Sequence, residues 1–259
     1  MMTALAQTWF LTVRLFRQLM RQPWWIAISL AQPIIWLVLY GQLFQRVVDI
    51  PGFGPMSYIT FLAPGIVIMS ALYGAGWSGM GVIDELDRGV IDRFLVAPTS
   101  RGAIIGGRLL NGAISTTVQS FMLLVLGLLL GARYPGGFAG VLVLALSAVL
   151  LGLPIGALST ALAITLRRRE SVIGASNFLL LPMTFLSPVF MASTLMPGWI
   201  RSVSRYSPVT WSVEAARFAL VDAHPDWERI GLRLGCLAIF GVLSWILAVR
   251  AFGSYQRSV

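Results

Sequence analysis

Positions 84–108 carry the sequence DELDRGVIDRFLVAPTSRGAIIGGR, a charged segment between long apolar runs. It holds four acidic residues and four arginines, in a chain of which only 11% is charged. Pro98 should end any helix in this segment, because proline has no amide hydrogen to donate. Apolar residues before Pro98 recur at helical spacing and predict an amphipathic helix, namely Leu86, Val90, Ile91, Phe94 and Leu95. Such a helix between two membrane spans lies on the bilayer surface or docks onto a soluble partner, and the simplest alternative is a solvated connecting loop.

The composition is that of a polytopic membrane protein with one domain, residues 1–259. Of these 259 residues 57% are hydrophobic, whereas soluble domains are about 45–50% apolar and about 25% charged. The formal net charge of +9 would also fit a nucleic-acid-binding protein. We reject nucleic acid as a partner, because the arginines lie mostly at the ends of apolar runs, where positive residues set membrane orientation. The expected surroundings are bilayer lipid.

Several functions are excluded by residue types that the chain lacks. All 19 basic residues are arginine, and without a lysine the chain cannot hold a Walker A nucleotide site. If the protein performs active transport, the ATPase is therefore another subunit. Cys236 is the only cysteine and His224 the only histidine, which excludes an intrachain disulfide, an HExxH motif and a two-histidine metal site. We expect neither catalytic nor metal-binding residues, and the chain is not predicted to be an enzyme.

The apolar runs predict an all-α fold with six transmembrane helices. Each run approaches or exceeds the length of about 20 residues that a helix needs to cross a bilayer. The predicted spans are residues 24–44, 57–83, 109–131, 138–166, 171–194 and 229–251. Residues 1–22 precede the spans and are predicted to form an interfacial amphipathic helix.

Two of the predicted spans have unusual features. The second contains the glycine-rich run YGAGWSGMG at 73–81, which indicates either a protomer interface or a flexible point, because small residues let helices approach closely. The fifth is interrupted by Pro182 and Pro188. Broken helices at bilayer depth are tolerated where they are buried in protein or line a cavity, and transporters use them in this way.

Residues 195–228 are predicted to form an outer re-entrant hairpin of two helices. Two amphipathic pieces follow the turn at Pro197 and Gly198, and neither is apolar enough to span a membrane. A hairpin that dips part-way into the bilayer fits them better. The hairpin residues that we single out are Trp199, Pro208, Trp211, Glu214 and Arg217.

Polar residues within the spans are candidates for a transport pathway. Asn111, Ser115 and Gln119 follow i, i+4 and i+8 spacing and so share one helix face. On that face they either bond neighbouring helices or line a cavity. An internal hydrogen bond is likewise the alternative to substrate contact for Gln32. The candidate substrate-path residues are Gln32, Asn111, Ser115, Gln119, Asn177 and Phe185.

The distribution of arginines predicts the orientation. Six spans put both termini on one side, which then receives twelve of the 19 arginines. By the positive-inside rule that side is cytoplasmic. Residues 84–108 and the triple arginine at 167–169 then lie where an ATPase can reach them. The expected location is the plasma (inner) membrane, as a multi-pass protein with both termini in the cytoplasm.

Two stretches carry a resemblance to a known family. One is the cluster of acids and arginines at 85–101, and the other is MPGW at 196–199 with SPVTW at 207–211, followed by Glu214 and Arg217. With the six spans, they resemble the ABC-2 type permeases, the membrane subunits of certain ATP-binding-cassette exporters. The similarity is greatest to permeases associated with daunorubicin-type drug resistance, and it covers nearly the whole chain.

The resemblance implies that residues 84–108 contain a cytoplasmic coupling helix, seated in a cleft of the ATPase subunit. One departure is that Asp92 stands where the family often has the longer glutamate. The residues implied in ATPase coupling are Asp84, Glu85, Leu86, Arg88, Gly89, Val90, Asp92, Arg93, Phe94 and Pro98. Two ATPase subunits, which bind ATP and Mg²⁺, would assemble with two permeases, either identical or related, and this chain itself would bind no cofactor.

The function expected from this resemblance is export. The chain would move hydrophobic or amphipathic compounds, such as a drug, an antibiotic or a lipid-like molecule, out of the cytoplasm or the inner leaflet. Motion of the coupling helix would change the packing of the first, second and fifth spans by rigid-body switching. The alternative is a non-transporting membrane scaffold or assembly protein that docks a cytoplasmic partner. A channel is disfavoured, since the sequence has no ring-forming acid or carbonyl filter motif.

Overall fold

The structure is a computed structural model that describes the backbone of residues 23–50, 53, 56–88 and 101–256. Every regular element in these ranges is helical. The α-helices are α1 Pro23–Leu43, α2 Tyr58–Gly76, α3 Ser78–Asp87, α4 Arg101–Leu129, α5 Gly137–Leu166, α6 Arg169–Phe185, α7 Gly198–Ser204, α8 Pro208–Val221 and α9 Trp227–Gln256. Two short 3₁₀ helices, Gln45–Asp49 and Ser193–Leu195, lie between them. The predicted interfacial helix at 1–22 lies outside the described residues.

Four helical stretches in the described ranges are long and apolar enough to cross a membrane. They are Tyr58–Glu85, Leu110–Leu129, Gly137–Leu166 and Trp227–Ala248, and they correspond to the second, third, fourth and sixth predicted spans. Helix α1 coincides with the first predicted span, and its described apolar part, Ile28–Leu43, is shorter. The prediction of a helical membrane protein is therefore confirmed, while six crossings stay a prediction.

Helix α6 is shorter than the fifth predicted span. It has 17 residues and ends at Phe185, whereas the apolar composition predicts a span from 171 to 194. Pro182 is accommodated within the helix, and its carbonyl accepts a hydrogen bond from Leu186 N at 2.8 Å. Residues 186–192 are not helical, and Pro188 among them has no amide hydrogen with which to continue a helix.

Helix α5 is the central helix of the bundle. It packs against α2, α3, α4, α6, α8 and α9. Small residues bring it close to α8: a Cβ atom on Gly140 would lie 2.7 Å from Leu220 Cα, so only glycine fits there. The face of α8 that meets its neighbours is fully buried and consists of Val209, Ser212, Val213, Ala215, Ala216, Ala219 and Leu220. The second helix of the predicted hairpin is thus part of the bundle core.

The burial of apolar side chains also fits a protein surrounded by lipid. Helix α2 is apolar on all sides and its residues from Tyr58 to Leu72 are buried, as expected for a helix enclosed by others. The helices around it expose large apolar side chains, which a soluble monomer rarely does over an extended surface. Examples are Phe121 and Leu129 on α4, Phe178 on α6, and Leu232 and Ile239 on α9.

Candidate functional site

Arg217 on α8 joins three parts of the chain at one end of the bundle. Its Nε donates to Phe61 O of α2 at 3.3 Å, and its Nη2 donates to Pro188 O at 2.9 Å. The guanidinium carbon also lies 3.6 Å from the centroid of the Phe61 ring, which is cation–π geometry. Arg217 therefore fastens the non-helical segment 186–192 to α2 and α8. We call this end of the molecule the hairpin end.

Helix α2 also contacts the same segment directly. A Cβ atom on Gly65 would lie 2.6 Å from Val189 O, so the segment approaches the bare backbone of α2. The Tyr58 hydroxyl donates to Phe190 O at 3.0 Å. Buried carbonyls outside regular structure need donors of this kind. The segment is therefore fixed by specific contacts rather than by helix formation.

Glu214, one turn before Arg217, links α8 to α9. Its Oε2 lies 2.6 Å from Arg233 Nη2, and both side chains are mostly shielded, with relative exposures of 17% and 31%. The Trp211 Nε1 donates to Arg205 O at 2.7 Å and so closes the turn between α7 and α8. Of the other hairpin residues singled out from the sequence, Pro208 begins α8, where proline is well tolerated, and Trp199 is exposed on α7.

A cavity of about 280 Å³ lies between α1, α2 and α6. Its walls are aromatic and aliphatic, with a few uncharged polar groups. The lining residues are Gln32, Trp36, Met69, Tyr73, Trp77, Asn177, Leu181, Thr184, Phe185 and Phe190. Pockets that bind small amphipathic molecules have this composition, in which apolar surface predominates and a few polar groups orient the ligand.

The structure brings together three of the six predicted substrate-path residues. Gln32, Asn177 and Phe185 line the cavity. Asn111, Ser115 and Gln119 all lie on α4, and α4 contributes no residue to that lining. The Asn111 Oδ1 is buried without a hydrogen-bond partner among the described residues. The α4 stripe is therefore separate from the cavity.

The end of α6 that lies opposite the hairpin end is called the coupling end. There the structure revises the start of the predicted amphipathic helix. Asp84 and Glu85 lie near the end of α3, a helix that begins at Ser78, and do not start a new helix. Arg88 follows in an exposed turn. Asp84 forms an ion pair with Arg169 at the start of α6. The remaining predicted coupling residues, Gly89, Val90, Asp92, Arg93, Phe94 and Pro98, lie outside the described residues.

Sequence reasoning missed Ser159 on α5. Its Oγ donates to Gly76 O at 2.6 Å and accepts from Gly79 N at 3.0 Å, and so touches both sides of the break between α2 and α3. The glycine-rich run at 73–81 allows another helix to approach closely, and in the structure α5 of the same chain does so at Gly76 and Gly79. The sequence around Ser159 has no pattern that would have identified it.

Burial raises the pKa of two side chains in the connections between helices. It raises the pKa of Asp222, which follows α8 directly, above the ordinary value for a carboxyl group. It also raises the pKa of Tyr134, whose hydroxyl donates to Leu124 O at 3.4 Å. The Tyr134 hydroxyl thus contacts α4 from the turn between α4 and α5.

Comparison with known proteins adds an independent finding. The family model described as ABC-2 type transporter matches residues 6–221. A putative transport permease ycf38 of Cyanophora paradoxa is 30% identical over 251 residues, which cover 92% of this chain and 86% of the relative. The daunorubicin resistance ABC transporter permease protein DrrB1 of Streptomyces coeruleorubidus is 28% identical over 216 residues, 82% of this chain and 75% of the relative. The inner membrane transport permease YadH of Escherichia coli (strain K12) is 26% identical over 237 residues, 87% and 89% of the two chains.

Proposed function

Because the chain belongs to the ABC-2 type transporter family, we propose that it is the membrane-spanning permease subunit of an ATP-binding-cassette exporter. The observation that carries the proposal beyond family membership is the cavity between α1, α2 and α6. It combines aromatic walls with uncharged polar groups, and three residues that we predicted as substrate contacts line it. We propose that this cavity is part of the export path.

The chemistry of the cavity favours hydrophobic or amphipathic substrates. Trp36 and Phe190 offer ring faces, while Gln32, Asn177 and Thr184 offer hydrogen-bonding groups without net charge. Such a lining accepts a drug-like or lipid-like molecule at low desolvation cost and disfavours a small ion, whose charge it cannot compensate. This lining supports export of a drug, an antibiotic or a lipid-like compound, and it also supports movement of such a compound between bilayer leaflets.

The energy would come from a separate ATPase subunit. The chain has no lysine for a nucleotide-binding loop, so ATP and Mg²⁺ would be bound by the partner. We propose that residues 84–108 dock onto that partner, and that two permease chains, identical or related, assemble with two ATPase subunits in the inner membrane. Both termini would then lie in the cytoplasm.

The proposal is tested by purifying the chain from its native membrane and reconstituting what copurifies in liposomes. We expect an ATPase subunit to copurify and daunorubicin, used as the probe, to change its rate of ATP hydrolysis. Glu85→Arg and Arg93→Glu should lower the daunorubicin-stimulated rate while membrane insertion stays normal. Arg257→Glu, in the C-terminal tail, is the matched charge-reversal control.

Two outcomes would each contradict a different part of the proposal. A stable complex with a cytoplasmic partner that hydrolyses no ATP would contradict the permease function, because it is the result expected of a membrane scaffold. Unchanged stimulation in both charge-reversal variants would leave the permease function standing and would contradict docking of the ATPase on residues 84–108.

A further inference from the structure

The long helical stretch Tyr58–Glu85 is two helices rather than one. Helix α2 ends at Gly76, and α3 begins at Ser78 after the turn at Trp77. Met80 N donates to Trp77 O at 3.0 Å. In a regular α-helix it would donate to the carbonyl four residues earlier, Gly76 O. The break therefore leaves Gly76 O and Gly79 N without their regular helical partners.

Ser159 of α5 satisfies both of these groups with one hydroxyl. The Oγ donates its hydrogen to Gly76 O at 2.6 Å and accepts the Gly79 amide hydrogen at 3.0 Å. Gly79 permits this approach, because a Cβ atom there would lie 2.7 Å from the Ser159 Oγ. Ser176 of α6 also donates to Gly76 O, at 3.4 Å. The break is thus held in a defined geometry by α5 and α6.

Beyond the break, α3 packs against α5 and α6 in a small apolar cluster separate from the main core. Its members are Val82 and Ile83 of α3, Ala163 and Ile164 of α5, and Val172 of α6. The Asp84–Arg169 ion pair joins the end of α3 to the first residue of α6. Both side chains of the pair are about half exposed, and pairs of this kind contribute little to folding stability.

Helix α6 connects this junction to the cavity. Its first residue, Arg169, is paired with α3, and further along it presents Asn177, Thr184 and Phe185 to the cavity. The segment after its last residue is held by Arg217. A displacement of α3 therefore acts directly on one wall of the cavity.

We propose that α3 transmits the motion of the cytoplasmic segment to α6, with Ser159 and the Asp84–Arg169 pair as the positioning residues of this link. The inference rests on the proposed permease function and adds the route by which that function is driven. Ser159 fixes the angle at which α3 leaves α2, and the ion pair makes α6 follow α3.

A charge-exchange experiment on the reconstituted permease–ATPase complex tests the ion pair. Asp84→Arg and Arg169→Asp should each lower the daunorubicin-stimulated rate of ATP hydrolysis by about fivefold, the factor that corresponds to a pair of about 1 kcal/mol. The double variant D84R/R169D should return to within about twofold of the unmodified complex. Arg133→Asp, at an exposed arginine of the turn between α4 and α5, should leave the rate unchanged. Absence of rescue in the double variant would overturn the role of the pair.

A distance measurement separates transmission from a merely structural role. Spin labels at two exposed positions, Leu146 of α5 and Phe178 of α6, are introduced with Cys236 replaced by serine. In the unmodified complex we expect the α5–α6 distance to change when ATP and vanadate trap the ATPase. Ser159→Ala should abolish this change. The control Ser147→Ala removes another buried α5 hydroxyl, which donates to Val143 O of its own helix, and should preserve it.

The two proposals fail in different ways in these experiments. If the unmodified complex shows neither daunorubicin stimulation nor a distance change on trapping, the permease function itself is wrong. If the unmodified complex shows both, and the Asp84, Arg169 and Ser159 variants match it, only the α3–α6 link is wrong.

Discussion

Among single residues, Arg217 does what no other side chain type could do in its place. Its planar guanidinium donates in several fixed directions at once, and here it reaches carbonyls of both α2 and the segment after α6. The same plane lies over the Phe61 ring. A lysine ammonium is a compact point charge and cannot keep this geometry.

Replacing Arg217 with lysine or glutamine should therefore destabilise the protein. The carbonyls of Phe61 and Pro188 would each lose a donor, and a buried carbonyl left without any donor costs about 1–3 kcal/mol. Tryptophan fluorescence during thermal unfolding in detergent measures the effect. Arg205→Gln changes an exposed arginine of the same hairpin and should leave the unfolding temperature unchanged. Equal unfolding temperatures for all three variants would show that Arg217 does not hold the segment.

Gly65 gives a second prediction for a single residue. A Cβ atom there would lie 2.6 Å from the backbone oxygen of Val189, which cannot rotate away as a side chain could. Gly65→Ala should lower the unfolding temperature and separate the segment from α2. Gly235→Ala on α9 adds a methyl group where nothing lies within 4 Å, and it should be neutral or slightly stabilising, because alanine favours a helix over glycine. A similar effect of both substitutions would argue against close contact at Gly65.

Among the elements, the sequence predicts helices better than it predicts where they stop. Long apolar runs are sufficient to locate α1, α2, α4, α5 and α9, because a helix in lipid must satisfy its own backbone. The end of α6 is different. Residues 186–194 continue the apolar run that predicts the fifth span, and contacts from residues distant in sequence, among them Arg217, Tyr58 and Gly65, hold them outside the helix.

The residues of the candidate site were only partly predictable from the sequence. The spacing of polar residues shows which of them share one face of a helix, but it does not show which other helix packs against that face. The sequence therefore could not show that Gln32 and Asn177 share a cavity to which the Asn111 stripe on α4 does not contribute. Ser159 was not predictable, because its importance comes from two backbone groups that a break in another helix leaves unpaired.

The packing of α3 against α5 leads to a prediction for a pair of glycines on one helix. A Cβ atom on Gly79 would meet the Ser159 backbone carbonyl and hydroxyl, whereas one on Gly81 has nothing within 4 Å. Gly79→Ala should push α3 off α5 and weaken binding of the ATPase subunit, and Gly81→Ala should not. Copurification of the ATPase with each variant, in equal amounts of permease, measures the difference. Equal yields would mean that contact at the break is not needed for docking.

For the whole molecule, one charged contact lies at each end of α6. The Asp84–Arg169 pair lies at its first residue, and Arg217 holds the segment after its last. A helix of 17 residues separates them by about 25 Å, close to the thickness of the hydrocarbon core of a bilayer. The surface between the two ends is apolar, which suits lipid. We therefore predict that the coupling end and the hairpin end lie on opposite faces of the membrane.

The orientation of the two ends can be measured with single cysteines in a Cys236→Ser background. Asp87 at the end of α3 and Ser202 on α7 are both exposed, so a cysteine at either position is accessible to reagents on its own side. Because arginines favour the cytoplasmic face, we expect a membrane-impermeant maleimide to label S202C in intact cells. D87C should be labelled only after the membrane is permeabilised. The cysteine-free background is the control, and labelling of D87C in intact cells would reverse the orientation, which would remove the coupling end from the reach of any cytoplasmic ATPase.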